Sequence, residues 1–476
     1  MSSEIEPHIL RKYEIQAQLG QGAYGIVWRA SDRRTHQVVA LKKIYDAFQN
    51  ATDAQRTFRE IMFLQALKHP NIIKLLHVHR ATNDKDIYLV FEYMETDLHV
   101  VIRANILEDI HKQFIIYQLL KTMKYLHSAE LLHRDMKPSN LLVNSDCSMK
   151  VADFGLARSI LSLEKEQVAR PVLTDYIMTR WYRPPEILLG STRYTKGVDM
   201  WAVGCILAEL ILGRPIFPGR TTMKQLELII SVLGEPTAED IAATNSQFAE
   251  AMLRDIRRSQ VTTFAELLPK ASADALDLVE KLMRFNPNAR LTAEQALEHP
   301  YVAAFHKAQD EPVAPGPITI ALPDDTRFTM QEYRERLYQE IANARRKVRR
   351  EAVGAPGAKG EGEGTTTNTR TNPGASTTGS NNNSTNTTSG VAATAAGAEE
   401  KRERVRESTQ PSGTTTHTSS SAAPRPASSA ATRSGMGNGA SRTTVAARSS
   451  DAGRSVHHVR PAVSRYGVNG TRLSHK

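Results

Sequence analysis

The chain has 476 residues and two cysteines, and its formal net charge is +10 at pH 7. The length predicts more than one compact unit, and two cysteines exclude a disulfide framework and favour a reducing compartment. No apolar run approaches the ~20 residues that cross a bilayer, and residues 1–10 lack the features of a secretory signal, so we expect a soluble intracellular protein without membrane insertion. Residues 351–476 carry +7 of the charge. The remainder is therefore near neutral, and we expect no direct binding of nucleic acid.

In chain order, residues 13–91 read as strands interrupted by one helix over about 53–67. Residues 98–350 are mostly helical by apolar spacing, broken by a short hairpin in which LLV and MKV flank NSDCS. This pattern predicts an α+β fold of two lobes. The smaller, β-rich N-lobe covers about 13–94 and the larger, helical C-lobe covers about 95–304.

Three further segments flank these lobes. We expect residues 1–12 to be an N-terminal extension and residues 305–350 to be a C-lobe extension that packs on the domain. Residues 351–476 consist largely of Thr, Ser, Asn, Gly and Ala. Such a segment cannot bury enough apolar surface to offset its chain entropy, so we expect a disordered, basic, low-complexity tail.

The stretch GQGAYGIV places Gly20, Gly22 and Gly25 between the first two strands. Glycine lets a backbone approach a phosphate closely, but the pattern alone is as typical of a glycine-rich hairpin. A dinucleotide site would need a helix after the glycines, whereas YGIVWRA is typical of a strand.

The third strand, VVALKKI, puts Lys42 on one face with Val38 and Ala40, while Lys43 falls on the other. Lys43 shares its face with Val39 and Leu41, so the pattern alone does not decide between the two lysines, and the spacing from the glycine turn favours Lys42. A lysine on an apolar face needs an anion. In the following helix Glu60 shares a face with apolar residues three, four and seven positions later. We therefore expect an ion pair between Lys42 and Glu60, although each charge alone would more often be solvated.

The motifs HRDMKPSN and DFG supply a second group of polar residues. Phosphoryl transfer from metal-bound ATP needs oxygen ligands for Mg²⁺, a base near the acceptor hydroxyl, and cations on the phosphates. Asn140 and Asp153 suit the metal, Asp135 suits the base, and Lys137 with Lys42 suits the phosphates. The sequence thus predicts ATP and Mg²⁺ as cofactors.

These motifs, with VALKK and PPE, occur in the order of the eukaryotic protein kinase signature, which the chain resembles over about 13–301. The segment TDYIMTRWYRPPE resembles the activation loop of the MAP kinase group, here with Thr-Asp-Tyr. QGAYGIVWRASDRR, DAFQNATDAQRTFREI, NDKDIYLVFEYMETDL and RYTKGVDMWAVGCIL resemble the atypical, long-tailed extracellular-signal-regulated kinases of the seven/eight class. The resemblance implies the bilobal kinase fold and a serine/threonine kinase.

The resemblance also implies roles for individual residues. Lys42 would hold the α- and β-phosphates, Glu60 would orient it, and Arg290 would pair with Glu186. The implied ATP site consists of the phosphate-covering turn and the residues along the adenine and ribose: Gly20, Gly22, Ala23, Tyr24, Gly25, Val27, Ala40, Lys42, Phe91, Glu92, Met94 and Asp97.

Thr174 and Tyr176 are the expected phosphorylation sites of the loop. A phosphate brings about −1.5 to −2 charges and three acceptor oxygens. We expect two groups of arginines to bind these phosphates and order the loop. They are Arg59, Arg134 and Arg158 for Thr174, and Arg180 and Arg183 for Tyr176.

The expected partners are protein substrates with Ser-Pro or Thr-Pro sites, together with partners recruited by the tail. Lys307 stands where MAP kinases usually carry an acid, which leaves docking through Asp310 and Glu311 open. Activation by autophosphorylation is therefore favoured. The resemblance implies a cytoplasmic location, with the nucleus or the base of a cilium or flagellum as further sites.

Two alternatives stay open from the sequence. FEYM and DMWAVGCI would suit a cyclin-dependent-type kinase, although the loop has Thr-x-Tyr and the helix lacks a cyclin-contacting signature. A non-catalytic, kinase-fold scaffold is the other alternative. The intact residues Lys42, Asp135, Asn140 and Asp153 argue against it.

Overall fold

The N-lobe is a five-stranded antiparallel sheet with one long helix against it. The computed structural model describes residues 5–22, 25–166, 179–256, 261–322, 326 and 328–354. The elements of the lobe are α1 (Pro7–Leu10), β1 (Tyr13–Gly22), β2 (Gly25–Asp32), β3 (Val38–Ile44), α2 (Ala51–Ala66), β4 (Leu75–Arg80) and β5 (Ile87–Glu92). The sheet order is β1-β2-β3-β5-β4, so β1 and β4 are the edge strands.

The two faces of this sheet bury different groups. Trp28, Leu41 and Val90 lie opposite one another in the strand register and form one apolar cluster, which the N-terminal extension covers with Ile5 and Ile9. The other face packs toward α2. The α2 helix begins after Asn50, whose side chain accepts a hydrogen bond from the Asp53 amide at 2.9 Å. This cap fixes where α2 starts and therefore which of its side chains face the sheet.

The C-lobe is mainly helical, and two small sheets line its upper side. Strand β8 (Leu141–Val143) is hydrogen-bonded to both β6 (Thr96–Asp97) and β9 (Met149–Val151), and β7 (Leu131–Leu132) pairs with β10 (Arg158–Ser159). The elements are β6 (Thr96–Asp97), α3 (Leu98–Ala104), α4 (Asp109–Ser128), β7 (Leu131–Leu132), β8 (Leu141–Val143), β9 (Met149–Val151), β10 (Arg158–Ser159), α5 (Ile160–Glu166), α6 (Pro185–Leu188), α7 (Gly197–Leu212), α8 (Thr222–Leu233), α9 (Ala238–Ala243), α10 (Ala249–Arg254), α11 (Phe264–Leu267), α12 (Ala273–Leu282) and α13 (Ala293–Leu297). The predicted LLV–MKV hairpin is β8–β9.

Helix α7 forms the centre of the C-lobe. Every residue from Val198 to Leu210 is buried, because α4 and α12 both pack against this helix. It ends at Gly213, whose φ of 77° is the left-handed conformation that glycine adopts without strain. A helix that is apolar all round is expected at such a central position.

The C-terminal extension contacts both lobes. The Ala314 and Ile318 amides donate to Ser128 Oγ and to the Ala129 carbonyl, both at 2.9 Å, beyond the end of α4. Helix α14 (Met330–Gly354) then packs on the N-lobe helix α2, where the rings of Tyr333 and Phe58 lie 5.6 Å apart. The extension therefore links the two lobes, and α14 includes the first four residues of the predicted tail, 351–354. The rest of the tail lies outside the described residues.

The predicted α+β, two-lobed fold is confirmed. Both cysteines are free thiols, and Cys205 is buried beside Met283, with 3.8 Å between the two sulfur atoms. Within the described ranges, no helix combines the length and the apolarity that crossing a bilayer requires.

Candidate active site

Lys42 and Glu60 form an ion pair in the cleft between the lobes, with 2.9 Å between Nζ and Oε1. Burial opposes the charged form of Lys42, but the carboxylates of Glu60 and Asp153 outweigh this and raise its pKa. Lys42 is therefore a cation at neutral pH. Lys43 takes the opposite face of β3, where it pairs with Asp86 at 3.0 Å. The strand alternation thus assigns the two adjacent lysines to different sites.

The glycine turn joins β1 and β2, with Gly22 opposite Gly25 in the register. A Cβ at Gly25 would lie 2.1 Å from the Lys43 carbonyl oxygen, so only glycine fits there. Among the described residues, a Cβ at Gly20 or Gly22 would meet no atom within 4 Å apart from those of its chain neighbours. Packing inside the chain therefore does not require glycine at these two positions, whereas close approach of a phosphate would. Ala23 and Tyr24 lie outside the described residues.

The remaining residues of the implied ATP site lie on β2, β3, β5 and the segment after β5. Val27 pairs with Lys42, and Ala40 pairs with Phe91. The Glu92 carboxylate accepts from the Lys74 amide at 2.8 Å, so its side chain anchors the segment that includes Met94. Asp97 caps α3 by accepting from the Val100 amide at 3.1 Å. Asp97 therefore has a structural role as a helix cap, in addition to the ribose contact that the resemblance implies.

Asp135 lies between two polar neighbours. Its Oδ2 accepts from Lys137 Nζ at 2.8 Å and from Asn140 Nδ2 at 3.2 Å, and the same amide donates to the Asp135 carbonyl. All three residues belong to one loop that ends in the turn Pro138–Asn140. The loop therefore holds a carboxylate, a cation and an amide within contact of one another.

Asp153 enters the same cleft after β9. Its backbone is left-handed, with φ of 62°, and the neighbouring Ala152 amide donates to the Asn140 carbonyl at 2.9 Å. Asp153 Oδ2 lies 3.5 Å from Arg56 Nη2. Burial opposes ionisation, but the charges of Lys42 and Arg56 outweigh it and hold the pKa of Asp153 below its usual value.

Asn140 and Asp153 suit a hard cation such as Mg²⁺, which takes oxygen ligands and retains waters and substrate oxygens. In the part of the chain that the structure describes, no group of three or more His, Cys, Asp or Glu side chains forms a metal site. A metal held by only one carboxylate and one amide needs further oxygens. Phosphate groups of a nucleotide are the natural source.

Asp199, which sequence analysis did not single out, supports the loop that carries Asp135. Its two oxygens accept from the His133 and Arg134 amides, each at 2.9 Å, and Oδ2 lies 3.2 Å from His127 Nε2. Burial opposes ionisation, but the contact with His127 and the hydrogen bonds outweigh it and lower the pKa of Asp199. These bonds hold Arg134 at φ of 67°, a strained value for a residue with a side chain. The sequence signal was an acid in the first turn of a helix that is apolar except for Asp199 and Glu209.

Arg56 was also missed. It lies four residues before Glu60 and hence on the same face of α2. This spacing was the available signal, but only the packing of α2 on the DFG segment brings its guanidinium to Asp153.

Arg290 and Glu186 form the pair implied by the resemblance. The guanidinium donates to both carboxylate oxygens, at 2.7 and 2.6 Å, and both side chains are buried. Arg290 also donates to the Gly197 carbonyl at 2.9 Å. The pair therefore joins the segment after the activation loop to the start of α7.

The first arginine group, Arg59, Arg134 and Arg158, is buried at the base of that loop. Arg158 pairs in β10 with Leu132, two residues before Arg134, and the α2 helix that carries Arg59 packs on the turn preceding β10. Arg134 stacks on Tyr194, with 4.0 Å from Cζ to the ring centre. Thr174 and Tyr176 lie outside the described residues.

The second arginine group, Arg180 and Arg183, flanks a short turn that is fixed to the C-lobe. Arg180 Nη1 donates to the Arg220 carbonyl at 3.3 Å. Trp181 Nε1 donates to the Gly219 carbonyl at 3.2 Å, and the Tyr182 hydroxyl donates to Glu209 at 2.6 Å. The segment after the loop is therefore held in place next to the loop that carries Asp135.

The two acids considered for docking differ in their environment. Glu311 is buried and accepts from Lys124 at 3.1 Å and from His306 at 2.8 Å. Asp310 and Lys307 are exposed. Only one of the two acids is thus open to a peptide, and a lysine lies close to it in sequence.

Comparison with known proteins identifies the family to which the chain is similar. The protein kinase domain model matches residues 13–302. Extracellular signal-regulated kinase 2 of Dictyostelium discoideum is 62% identical over 74% of this chain and 95% of its own length. Mitogen-activated protein kinase 15 of Xenopus laevis is 54% identical over 73% of this chain, and extracellular signal-regulated kinase 7 of Drosophila melanogaster is 46% identical over 71%. These matches cover 60% and 37% of those two relatives.

Proposed function

We propose that the chain transfers the γ-phosphate of ATP to a serine or threonine followed by proline. The chain belongs to the protein kinase family, as a serine/threonine kinase of the MAP kinase group related to the atypical seven/eight class. One observation carries this proposal. The Lys42–Glu60 pair, the loop of Asp135, Lys137 and Asn140, and the ionised Asp153 share one cleft.

ATP and Mg²⁺ would enter this cleft with the phosphates under the glycine turn. Lys42 would hold the α- and β-phosphates, since its pair with Glu60 fixes the ammonium group in place. Asn140 and Asp153 would hold Mg²⁺, which neutralises charge on the transferred group when bound. Arg56 would have to leave Asp153 as the metal is bound.

Asp135 would accept the proton of the substrate hydroxyl. The carboxylate contacts Lys137 Nζ at 2.8 Å, so a cation would lie beside the proton acceptor and could neutralise charge on the transferred phosphate. A positioned base contributes about 10²–10⁴-fold to turnover. The chain's own part is thus orientation, proton acceptance and charge neutralisation.

Preference for proline would arise at the segment after the activation loop. Proline has no N–H, whereas any other residue would bring a donor that costs ~1–3 kcal/mol if it is buried without a partner. Hydrogen bonds from Trp181 to Gly219 and from Tyr182 to Glu209 hold this segment rigidly beside the loop that carries Asp135.

Phosphorylation of Thr174 and Tyr176 would activate the enzyme. The buried arginines Arg59, Arg134 and Arg158 lie on three elements that meet at the base of the loop, and a phosphate on Thr174 is an anion of the right charge for them. Their burial supports a dedicated site, since exposed arginines would gain less from such a contact.

We further propose that the enzyme phosphorylates its own loop. Glu311 is already bound to Lys124 and His306. This weakens the acidic surface to which a basic segment of an upstream kinase would dock. Protein made in bacteria, where no upstream MAP kinase kinase exists, should carry phosphate on Tyr176 by mass spectrometry, and the Asp135→Asn variant should not. An unmodified wild-type loop would contradict self-activation.

For location, we propose the cytoplasm, with the nucleus or the base of a cilium or flagellum as further sites. The support is the resemblance to the seven/eight class. A fluorescent fusion expressed at its native level tests it, and confinement to another organelle would refute it.

A further inference from the structure

A basic groove lies on the N-lobe, at the end of the β1–β2 hairpin that is opposite the glycine turn. It forms where the start of β1, the β2–β3 turn, β4 and α14 meet. Two adjoining cavities of about 510 and 220 Å³ share Lys12, His79 and Arg345 in their walls. The length of β1 separates this groove from the glycine turn by roughly 30 Å at 3.3 Å per residue, so a ligand here leaves the ATP cleft open.

The walls of the groove are strongly cationic. They contain one carboxylate, Asp32, and six basic side chains: Arg11, Lys12, Arg33, Arg34, Arg80 and Arg345. Asp32 is turned inward and accepts from the Arg34 and Thr35 amides at 2.8 and 3.2 Å.

Acids outside the groove neutralise only part of this charge. Arg80 pairs with Asp84 at 2.6 Å, and Arg33 pairs with Glu14 at 3.3 Å. Within the described ranges, the exposed side chains of Arg11, Lys12 and Arg34 form no ion pair with a carboxylate.

Neighbouring groups hold the cations in place. Lys12 Nζ contacts His79 Nδ1 at 3.4 Å, and the Tyr13 hydroxyl contacts His79 Nε2 at 3.0 Å. Burial, with the charge of Lys12, lowers the pKa of His79 to about 3, so this ring stays neutral and can accept from Lys12. Arg345 Nη2 donates to the Val78 carbonyl at 2.6 Å, which ties α14 to the free edge of β4.

We propose that this groove binds a phosphorylated, acidic segment of a partner protein. A concave site with several fixed cations suits clustered phosphates, which form strong, charge-assisted hydrogen bonds with arginine and lysine. A membrane-inserting surface would present large exposed apolar side chains, and single-stranded nucleic acid would use exposed aromatic rings. Among the described residues that line the groove, none is a large exposed apolar side chain or an exposed Phe, Tyr or Trp, and the one exposed ring is the imidazole of His77.

The proposal does not rest on catalysis, and the binding test uses the full-length chain with or without Asp135→Asn. The probe is a fluorescent peptide with two phosphoserines among acidic residues, compared with its unphosphorylated twin by anisotropy. The double variant Lys12→Glu/Arg34→Glu is expected to weaken binding of the phosphorylated peptide at least about tenfold, since it removes two charged contacts. Loss of the phosphates should weaken binding similarly.

The matched control is Lys270→Glu/Arg284→Glu, which makes the same charge change at exposed positions of the C-lobe. It should change binding by less than about twofold. Equal weakening by both double variants, or equal affinity for the two peptides, would overturn the proposal. If Lys12→Glu/Arg34→Glu does not fold, Arg11→Gln/Arg34→Gln gives the same comparison without disturbing His79.

Two further probes separate the macromolecular classes. Vesicles of phosphatidylcholine with phosphatidylinositol bisphosphate, and single-stranded polyuridine RNA, are added to the same variants. The protein partner would be refuted if the vesicles or the RNA bind in a way that depends on Lys12 and Arg34 while the phosphopeptide does not bind. Phosphopeptide binding that shifts the ring signals of His77 and His79 in a histidine-labelled protein would support it and would place the ligand in the groove.

Discussion

Replacing Asp199 by asparagine is expected to destabilise the fold and to reduce catalysis at the same time. The carboxylate accepts from two buried amides, those of His133 and Arg134, with one oxygen for each. Asparagine keeps one oxygen and replaces the other by an NH₂ group, so one amide donor would face another donor. The changed position is buried and distant from solvent.

The magnitude follows from this loss. A hydrogen bond to a charged group contributes about 1.5–3 kcal/mol, and a buried donor left without an acceptor costs a further ~1–3 kcal/mol. We expect a total loss of about 3–5 kcal/mol in the free energy of unfolding, which is the usual cost of breaking a buried charged network. At about 2 °C per kcal/mol for a domain of this size, Tm should fall by roughly 6–10 °C.

Catalysis should fall as well, because the freed amides belong to the residues that precede Asp135. The assay is peptide phosphorylation at a temperature where the variant remains folded, together with Tm by calorimetry. Asp274→Asn, on the exposed first turn of α12, is the control and should change neither value appreciably. A variant Asp199→Asn with wild-type Tm and turnover would refute the supporting role of this carboxylate.

The pH dependence gives a second test of the same residue. The folded-state pKa of Asp199 is depressed, so its stabilising contribution is present above the unfolded value of about 4 and is lost as pH falls through the folded value. The wild-type chain and Asp199→Asn should therefore converge in stability in acid and differ most near neutral pH. A difference that does not change with pH would contradict this account.

Three further changes test other parts of the cleft and the chain. Asp135→Asn should keep nucleotide affinity but reduce phosphate transfer by about 10²–10⁴-fold in a steady-state assay, and wild-type turnover would exclude Asp135 as the base. Arg56→Gln removes a half-buried cation 3.5 Å from Asp153 and should tighten Mg²⁺-dependent ADP binding by up to about fivefold in calorimetric titration, whereas weaker binding would show that Arg56 helps to hold the nucleotide. Deletion of residues 355–476 should leave Tm and peptide turnover unchanged, and a large loss of either would mean that the tail contributes to the fold.

The parts of the site that lie within short motifs could be predicted from sequence. Lys42, Asp135, Asn140 and Asp153 each belong to a local motif that indicates its chemistry. Strand alternation put Lys42 and Lys43 on opposite faces, and the spacing from the glycine turn favoured Lys42 as the partner of Glu60. The same reasoning separated Lys43, which pairs with Asp86 on the other face. Local periodicity separates the two lysines because the direction of a side chain is set by its own strand, and the distance in sequence from the glycine turn then selects Lys42.

Contacts that depend on packing between distant segments could not be predicted. Asp199 supports a loop that lies more than sixty residues earlier in the chain, and Arg56 reaches Asp153 only because α2 packs on the DFG turn. The same holds for α14, whose path back to the N-lobe depends on Tyr333 meeting Phe58. Apolar spacing identifies the buried face of a helix but not the surface that covers it.

The central claim is that the chain is a proline-directed protein kinase that uses Asp135, and peptide phosphorylation tests it most directly. Purified wild-type protein, with ATP and Mg²⁺, is given two peptides that differ only in proline or alanine after the acceptor serine. The account predicts efficient transfer to the Ser-Pro peptide, clearly weaker transfer to the Ser-Ala peptide, and loss of both with Asp135→Asn. Equal transfer to the two peptides would contradict the proline preference, and transfer that survives in Asp135→Asn would contradict the catalytic assignment.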